Sequence, residues 1–127
     1  MATEVESSVI ARRMETALVV DDCPMIRMLN TKFLSKLGLE VSSAKDGVEA
    51  VAVAGEGHFD LIVMDLEMPR MNGIEATTEL RAMGVDCKII GATGCNDVSL
   101  QQRFMDAGLD SLFNKPLTVA NLQSCLN

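Results

Sequence analysis

The sequence predicts an α/β fold: a doubly wound, five-stranded parallel sheet in the order 2-1-3-4-5, with helices on both faces. Three observations carry that prediction. Leu61-Ile62-Val63-Met64 and Ala17-Leu18-Val19-Val20 are unbroken apolar runs, the pattern of strands covered on both faces. Each run stops at acids, Asp65 in one case and Asp21-Asp22 in the other. Segments of helical period, punctuated by Gly and Pro, lie between and after them, so strands and helices alternate as right-handed parallel crossovers require.

Taken in order, strand one covers residues 17–20 and runs into Asp21-Asp22-Cys23-Pro24. Pro24 suits a helix's first turn, where its missing N–H has no partner anyway. In helix one Ile26, Leu29, Phe33, Leu34 and Leu37 fall on one face, and Gly38 stands where a left-handed cap is needed. Residues 39–44 make a weaker strand two. Asp46 caps a short helix two through Val48, Val51 and Ala52, which ends in Gly55-Glu56-Gly57-His58. Strand three covers residues 60–64, and the loop Leu66-Glu67-Met68-Pro69-Arg70-Met71 leads to helix three over residues 73–83, stopped by Gly84. Residues 88–92 form strand four, closed by Thr93-Gly94. Asn96 caps helix four, whose Leu100, Phe104 and Ala107 share a face before Gly108. Residues 109–114 form strand five. Lys115-Pro116 and the cap Thr118 open helix five, where Leu122, Cys125 and Leu126 face inward.

A chain of 127 residues suits one domain, expected over residues 15–127 behind a disordered polar lead at 1–14. Its apolar runs are too short to span a bilayer, and solubility is expected. A formal net charge of -7 repels phosphate backbones and anionic lipid, so neither nucleic acid nor membrane is an expected partner. Cys23, Cys87, Cys95 and Cys125 lie far apart with no CxxC spacing and no secretory signal, which points to reduced thiols in a cytoplasmic or nuclear setting. Glu4 and Glu6 argue against a transit peptide.

In a 2-1-3-4-5 sheet the strand order reverses between strands one and three, and ligands bind outside the carboxyl ends at that point. Asp21, Asp22 and Asp65 arrive there together, with Thr93 and Lys115 on the same edge. Three close carboxylates raise one another's pKa unless a cation neutralises them. Mg2+ fits, since it takes oxygen ligands and is commonly held by one or two carboxylates plus a phosphate. Lys115 and Thr93 suit a phosphate, one as a point charge and one as a hydroxyl donor. Asp65, the lone acid on the most hydrophobic strand, is the candidate nucleophile toward phosphorus, and Asp21-Asp22 are the candidate metal pair.

Val19-Val20-Asp21-Asp22, Met64-Asp65-Leu66-Glu67-Met68-Pro69, Asn72-Gly73, Thr93-Gly94 and Lys115-Pro116-Leu117 together resemble a response-regulator receiver domain of two-component phosphorelays, over residues 16–126. The resemblance implies a flavodoxin-like (βα)5 fold. It implies that Asp65 accepts a phosphoryl group from phosphohistidine, with Mg2+ held by Asp22, Asp65 and the backbone carbonyl of Glu67, and Asp21 acting through water. Thr93 would bond a phosphoryl oxygen, Lys115 would pair with the phosphate, and the Lys115-Pro116 bond would be cis. The expected partner is a histidine-containing phosphotransfer protein or histidine kinase, lying over helix one at Met25, Ile26 and Met28, with the chain a monomer. With no output domain in view, and with Met105-Asp106-Ala107-Gly108-Leu109-Asp110, the chain looks like the stand-alone plant type-C regulators of cytokinin signalling. A receiver-shaped binding module, or a drain of phosphate from a phosphotransfer protein, is the alternative.

One position departs from the family pattern. Three residues before the lysine, receivers usually carry Tyr or Phe, and here stands Leu112; Phe113 beside it should face the other side of the sheet. His58 reads as solvated, and it cannot build a zinc site with scattered cysteines. Met68 and Met71 read as contact residues beside the site, and Cys95 as packing at its mouth. A flavin protein would want aromatic rings where this chain has no Trp or Tyr, and a haloacid-dehalogenase-like phosphatase is disfavoured by Pro69 and the short loop around Glu67. No GxxxxGK[ST] loop is present.

Overall fold

The computed structural model describes residues 14–126, and at its centre lies β3 (Leu61–Asp65), all five of whose residues are buried. The other strands are β1 (Thr16–Val20), β2 (Glu40–Ala44), β4 (Lys88–Thr93) and β5 (Ser111–Asn114), in one parallel sheet of order β2-β1-β3-β4-β5. The predicted doubly wound α/β architecture is therefore the observed one. Apart from Met14, the polar lead expected over 1–14 lies outside the described residues.

Because side chains alternate across a strand, the two central strands feed two cores. Leu18, Val20, Ile62 and Met64 pack under α2 (Gly47–Glu56), α3 (Gly73–Ala82) and α4 (Val98–Asp106), with Ala50, Leu80 and Phe104 prominent. Ala17, Val19, Leu61 and Val63 pack under α1 (Pro24–Lys36) and α5 (Val119–Ser124), with Leu34 and Leu122 fully buried. Both faces being covered, continuous apolar runs are what these strands require.

The helix ends follow their local chemistry. Pro24 occupies the first turn of α1, and Gly38, Gly84 and Gly108 take positive φ where α1, α3 and α4 stop. Asn72 with Glu75 and Thr118 with Asn121 form reciprocal caps on α3 and α5.

Three expectations are corrected. Asp97 caps α4, its Oδ1 accepting the Leu100 N–H at 3.1 Å, and Asn96 does not; the carboxylate three residues before Leu100 also carries the charge a helix N-terminus favours. Strand five is shorter than predicted. Asp110 precedes the strand and still meets β4, its N–H donating to the Ile89 carbonyl at 2.8 Å while its carboxylate, not a backbone carbonyl, accepts the Ile89 N–H at 2.8 Å; Leu109 is buried ahead of it. The inner seam of α1 runs along Asn30 and Leu34, which leaves Leu29 38% exposed and Ile26 half-buried.

The cap assignment is directly testable. Asp97→Ala should cost about 1 kcal/mol in urea unfolding, whereas Asn96→Ala should stay within roughly 0.5 kcal/mol of the parent.

Candidate functional site

β1 and β3 are neighbours whose carboxyl ends open where the strand order reverses, and this brings Asp21, Asp22 and Asp65 together. One carboxylate oxygen from each lies within 4.8 Å of the others. Asp21 and Asp65 are each only 2% exposed, whereas Asp22 faces solvent.

Local turns fix these groups. Asp21 Oδ1 accepts the Cys23 N–H at 2.9 Å and its carbonyl accepts from Arg27 Nη1 at 2.7 Å, so Asp21 is tied to the start of α1. Leu66 N–H donates to the Ala92 carbonyl and Gly73 N–H to the Leu66 carbonyl, which returns the chain beyond Asp65 to the sheet edge. A Cβ on Gly73 would collide with the Asp65 carbonyl oxygen, so the bare residue lets α3 begin directly against the site.

Lys115 follows β5 and reaches back across the edge. Its Nζ lies 2.7 Å from Asp65 Oδ1 and 3.3 Å from Asp21 Oδ2. Its backbone N–H donates to the Thr93 carbonyl at 2.9 Å, and the Lys115-Pro116 bond is cis, as the resemblance implied. Thr93 is fully buried and its Oγ1 accepts the Cys95 N–H at 2.9 Å, which leaves the hydroxyl proton free to donate elsewhere.

Burial pushes the Asp65 carboxyl up to about 6, with Asp21 and Asp22 adding to the rise and Lys115 opposing it. Burial by itself would lower the Lys115 pKa, but the carboxylates of Asp65 and Asp21 outweigh it and hold the ammonium above its ordinary range. Neither Asp65 oxygen has a hydrogen-bond donor in good geometry; Oδ1 has the Lys115 charge beside it, and Oδ2 has no partner among the described residues.

An orphaned buried oxygen and two further carboxylates, with no histidine or cysteine in the cluster among the described residues, form a donor set suited to a hard divalent cation. The Glu67 side chain is exposed and outside the acid cluster, so Glu67 could contribute only its backbone carbonyl.

Other candidates resolve differently. Met68 and Met71 are half-buried and pack against the core under α2, α3 and α4. Met25 and Met28 are exposed on α1 beside the site. Cys95 Sγ accepts the Asp97 N–H at 3.3 Å and belongs to the turn before α4. His58 sits at the far end of β3, exposed and 3.2 Å from Asp60 Oδ1. Leu112 lies opposite Gly91 in the same core as Phe104, and Phe113 packs on the other face, as expected from alternation.

Arg70 was not legible as a site residue. It lies in the loop after Asp65 and binds buried Asp46, whose carboxyl is held below the usual range by the Glu49 N–H and by Arg70, against the opposing effect of burial. An exposed arginine in a loop carries no periodic signal, so nothing short of the folded chain would have paired it with a residue 24 positions away.

The raised Asp65 pKa has a sign that can be measured. The native chain keeps a proton that the unfolded chain releases above its ordinary 3.8. The associated stabilisation is complete below that value and is lost as pH rises through about 6. In metal-free buffer at pH 7, Asp65→Asn should therefore be more stable than the parent by about 1–2 kcal/mol, with the difference vanishing below pH 4.

Comparison with known proteins gives concordant results. Residues 17–127 match the family described as response regulator receiver domain. Two-component response regulator 24 of Arabidopsis thaliana is 44% identical over 113 residues, covering 88% of this chain and 81% of that protein. Two-component response regulator ARR22 of the same plant is 39% identical over 116 residues, covering 89% and 82%. The receiver domain of a sensor histidine kinase from Pseudomonas aeruginosa PAO1, solved with a magnesium ion coordinated in its active-site cleft, is similar with a TM-score of 0.80 at 31% identity, covering 87% of this chain and 92% of that one.

Proposed function

The chain belongs to the response regulator receiver domain family, and from that premise we propose that it accepts a phosphoryl group from a phosphohistidine onto Asp65. The observation that carries this is the Asp65 carboxylate itself: buried, with Oδ2 unpartnered and Oδ1 2.7 Å from Lys115 Nζ. With its pKa near 6 the group is largely ionised at neutral pH, as a nucleophile must be.

In the proposed step an Asp65 oxygen forms a bond to phosphorus as the histidine N–P bond breaks, and the imidazole leaves with the electron pair and takes up a proton. Lys115 pairs with charge on the transferred group, and Thr93 donates its free hydroxyl proton to a phosphoryl oxygen. Asp22, Asp65 and the Glu67 carbonyl would hold Mg2+, with Asp21 acting through water. When bound, that ion neutralises charge on the phosphoryl oxygens. Asp21 already has a fixed partner in the Cys23 N–H, which suits the less direct role.

The donor fits as a histidine-containing phosphotransfer protein or the histidine-bearing domain of a kinase. Met25 and Met28 are 66% and 61% exposed on α1. A cavity of about 380 Å3 lies alongside, lined by Ile26, Leu29, Phe33, Lys115, Pro116 and Leu117, which joins the apolar face of α1 to the site. Plant cytokinin signalling in the cytoplasm or nucleus, through a type-C regulator, is the setting this reading suggests.

A second reading concerns the fate of the phosphoryl group once it is on Asp65. Leu112 fills the position where the family usually has an aromatic ring, and Phe113 faces away from it. We infer that the phosphoryl group is drained by hydrolysis or returned to the donor, in preference to driving a ring-based switch.

Incubation with a small phosphodonor and Mg2+ should label the parent chain and leave Asp65→Asn unlabelled by intact mass; persistent labelling of the variant would remove the acceptor assignment. Asp22→Ala should weaken Mg2+ binding by about tenfold or more in calorimetric titration. Replacing Met25 and Met28 together by alanine should slow transfer from a phosphorylated phosphotransfer protein while labelling by the small donor stays unchanged; equal slowing of both would place these residues in the chemistry.

A further inference from the structure

The loop of residues 66–72 leaves the site directly from Asp65, yet its main anchor is not in the site. Arg70 adopts φ 67°, the left-handed region that a residue with a Cβ enters at a cost and keeps only when its surroundings hold it there. What holds it is Asp46. Arg70 Nε and Nη2 donate to Asp46 Oδ2 at 3.1 and 2.8 Å, while Asp46 Oδ1 accepts the Glu49 N–H at 2.8 Å and caps α2.

Asp46 is 3% exposed and the Arg70 side chain reaches it from solvent, so the contact is buried on the carboxylate side and open on the guanidinium side. The backbone makes a second tie at the same place. Gly47 N–H donates to the Met71 carbonyl at 3.2 Å, and a Cβ on Gly47 would come within 2.5 Å of that oxygen. The loop is therefore seated on the first turn of α2 by a charged side chain and by a close approach that only glycine permits.

We propose that the Asp46–Arg70 pair is a positioning latch for the cation side of the site: it fixes the loop that carries the Glu67 carbonyl, and so sets where that carbonyl stands relative to Asp22 and Asp65. The proposal rests on the metal-dependent acceptor reading above. Arg70 and Asp46 are positioning residues that touch neither the ion nor the phosphoryl group.

Charge alone predicts something different, and the difference is a sign. Removing the Arg70 cation would strengthen Mg2+ binding if Arg70 acted only through its field, and removing the Asp46 anion would weaken it. A latch predicts weakening in both cases.

The test uses the full chain and titrates Mg2+ by calorimetry on the parent, Arg70→Ala, Asp46→Asn and Arg70→Lys. Arg70 has a 60% exposed side chain, and asparagine remains a good helix cap, so metal-free circular dichroism should match the parent. The expected result is about tenfold weaker binding in Arg70→Ala and in Asp46→Asn, with Arg70→Lys restored to within roughly threefold of the parent. Small-donor labelling of Arg70→Ala should be slow at low Mg2+ and reach the parent rate at saturating Mg2+. Unchanged or tighter binding in Arg70→Ala overturns the latch. A parent chain that binds no Mg2+ overturns the metal reading itself, and the latch with it.

Discussion

A carboxylate buried at the end of a fully buried strand is the constraint around which this protein is arranged. Ionising a group in such surroundings costs several kcal/mol unless partners offset it, and the rise of Asp65 to about 6 is the visible part of that cost. Lys115 offsets it on one oxygen only. Three carboxylates at −1 each and one ammonium at +1 leave the cluster with a formal charge of −2, which one divalent cation would cancel. That charge and the all-oxygen donor set of the three acids suit a hard divalent cation.

The remaining architecture supplies the means of bringing that charge to an accessible edge. Parallel strands need crossovers, crossovers cover both faces of the sheet, and the reversal of winding between β1 and β3 opens a crevice at their carboxyl ends. Bare residues then let backbone crowd the crevice where side chains could not. Gly73 seats α3 against Asp65, and Gly47 seats the loop after Asp65 on α2. The two apolar cores lie to either side of the sheet, and the β1–β3 register brings the ends that carry the acids side by side.

This layering explains what could be read in the sequence. β1 and β3 were legible because strands covered on both faces become uninterrupted apolar runs, and the acids stood out because they ended those runs. Thr93 and Lys115 were legible by the same logic one and two strands further on. Asp97 was missed because Asn96 and Asp97 are both good caps, and only the observed bond to Leu100 separates them. Leu29 of α1 is not buried because it lines the cavity beside Lys115 while Asn30 and Leu34 carry the inward seam, a distinction that apolar periodicity does not make. Arg70 and Asp46 were invisible as a pair for a more general reason: a contact between two loops depends on how β2 and β3 are spaced in the sheet, and no local pattern records that spacing.

The chemistry at the strand ends and the transmission of its outcome draw on different parts of the fold. Everything the proposed transfer needs, from Asp22 to Lys115, stands on the carboxyl edge and is held by backbone turns and short ion contacts. Transmission would have to pass through the core beside β4 and β5, where a Cβ on Gly91 would meet Leu109, Phe104 and Leu112 within 3.0 Å. That space is filled by side chains packed on one another, and the ring of Phe113 is on the opposite face of the sheet, with Leu117 and Leu122. Leu112 stands opposite Gly91, two residues before Thr93 on the same face of β4, so the β5 side chain at that place is aliphatic. The surface beside the site is the α1 face, with exposed Met25 and Met28 and a cavity lined by Ile26, Leu29 and Lys115. On the proposed transfer, the face that would meet the donor is therefore also the one that a phosphoryl group on Asp65 would alter most directly.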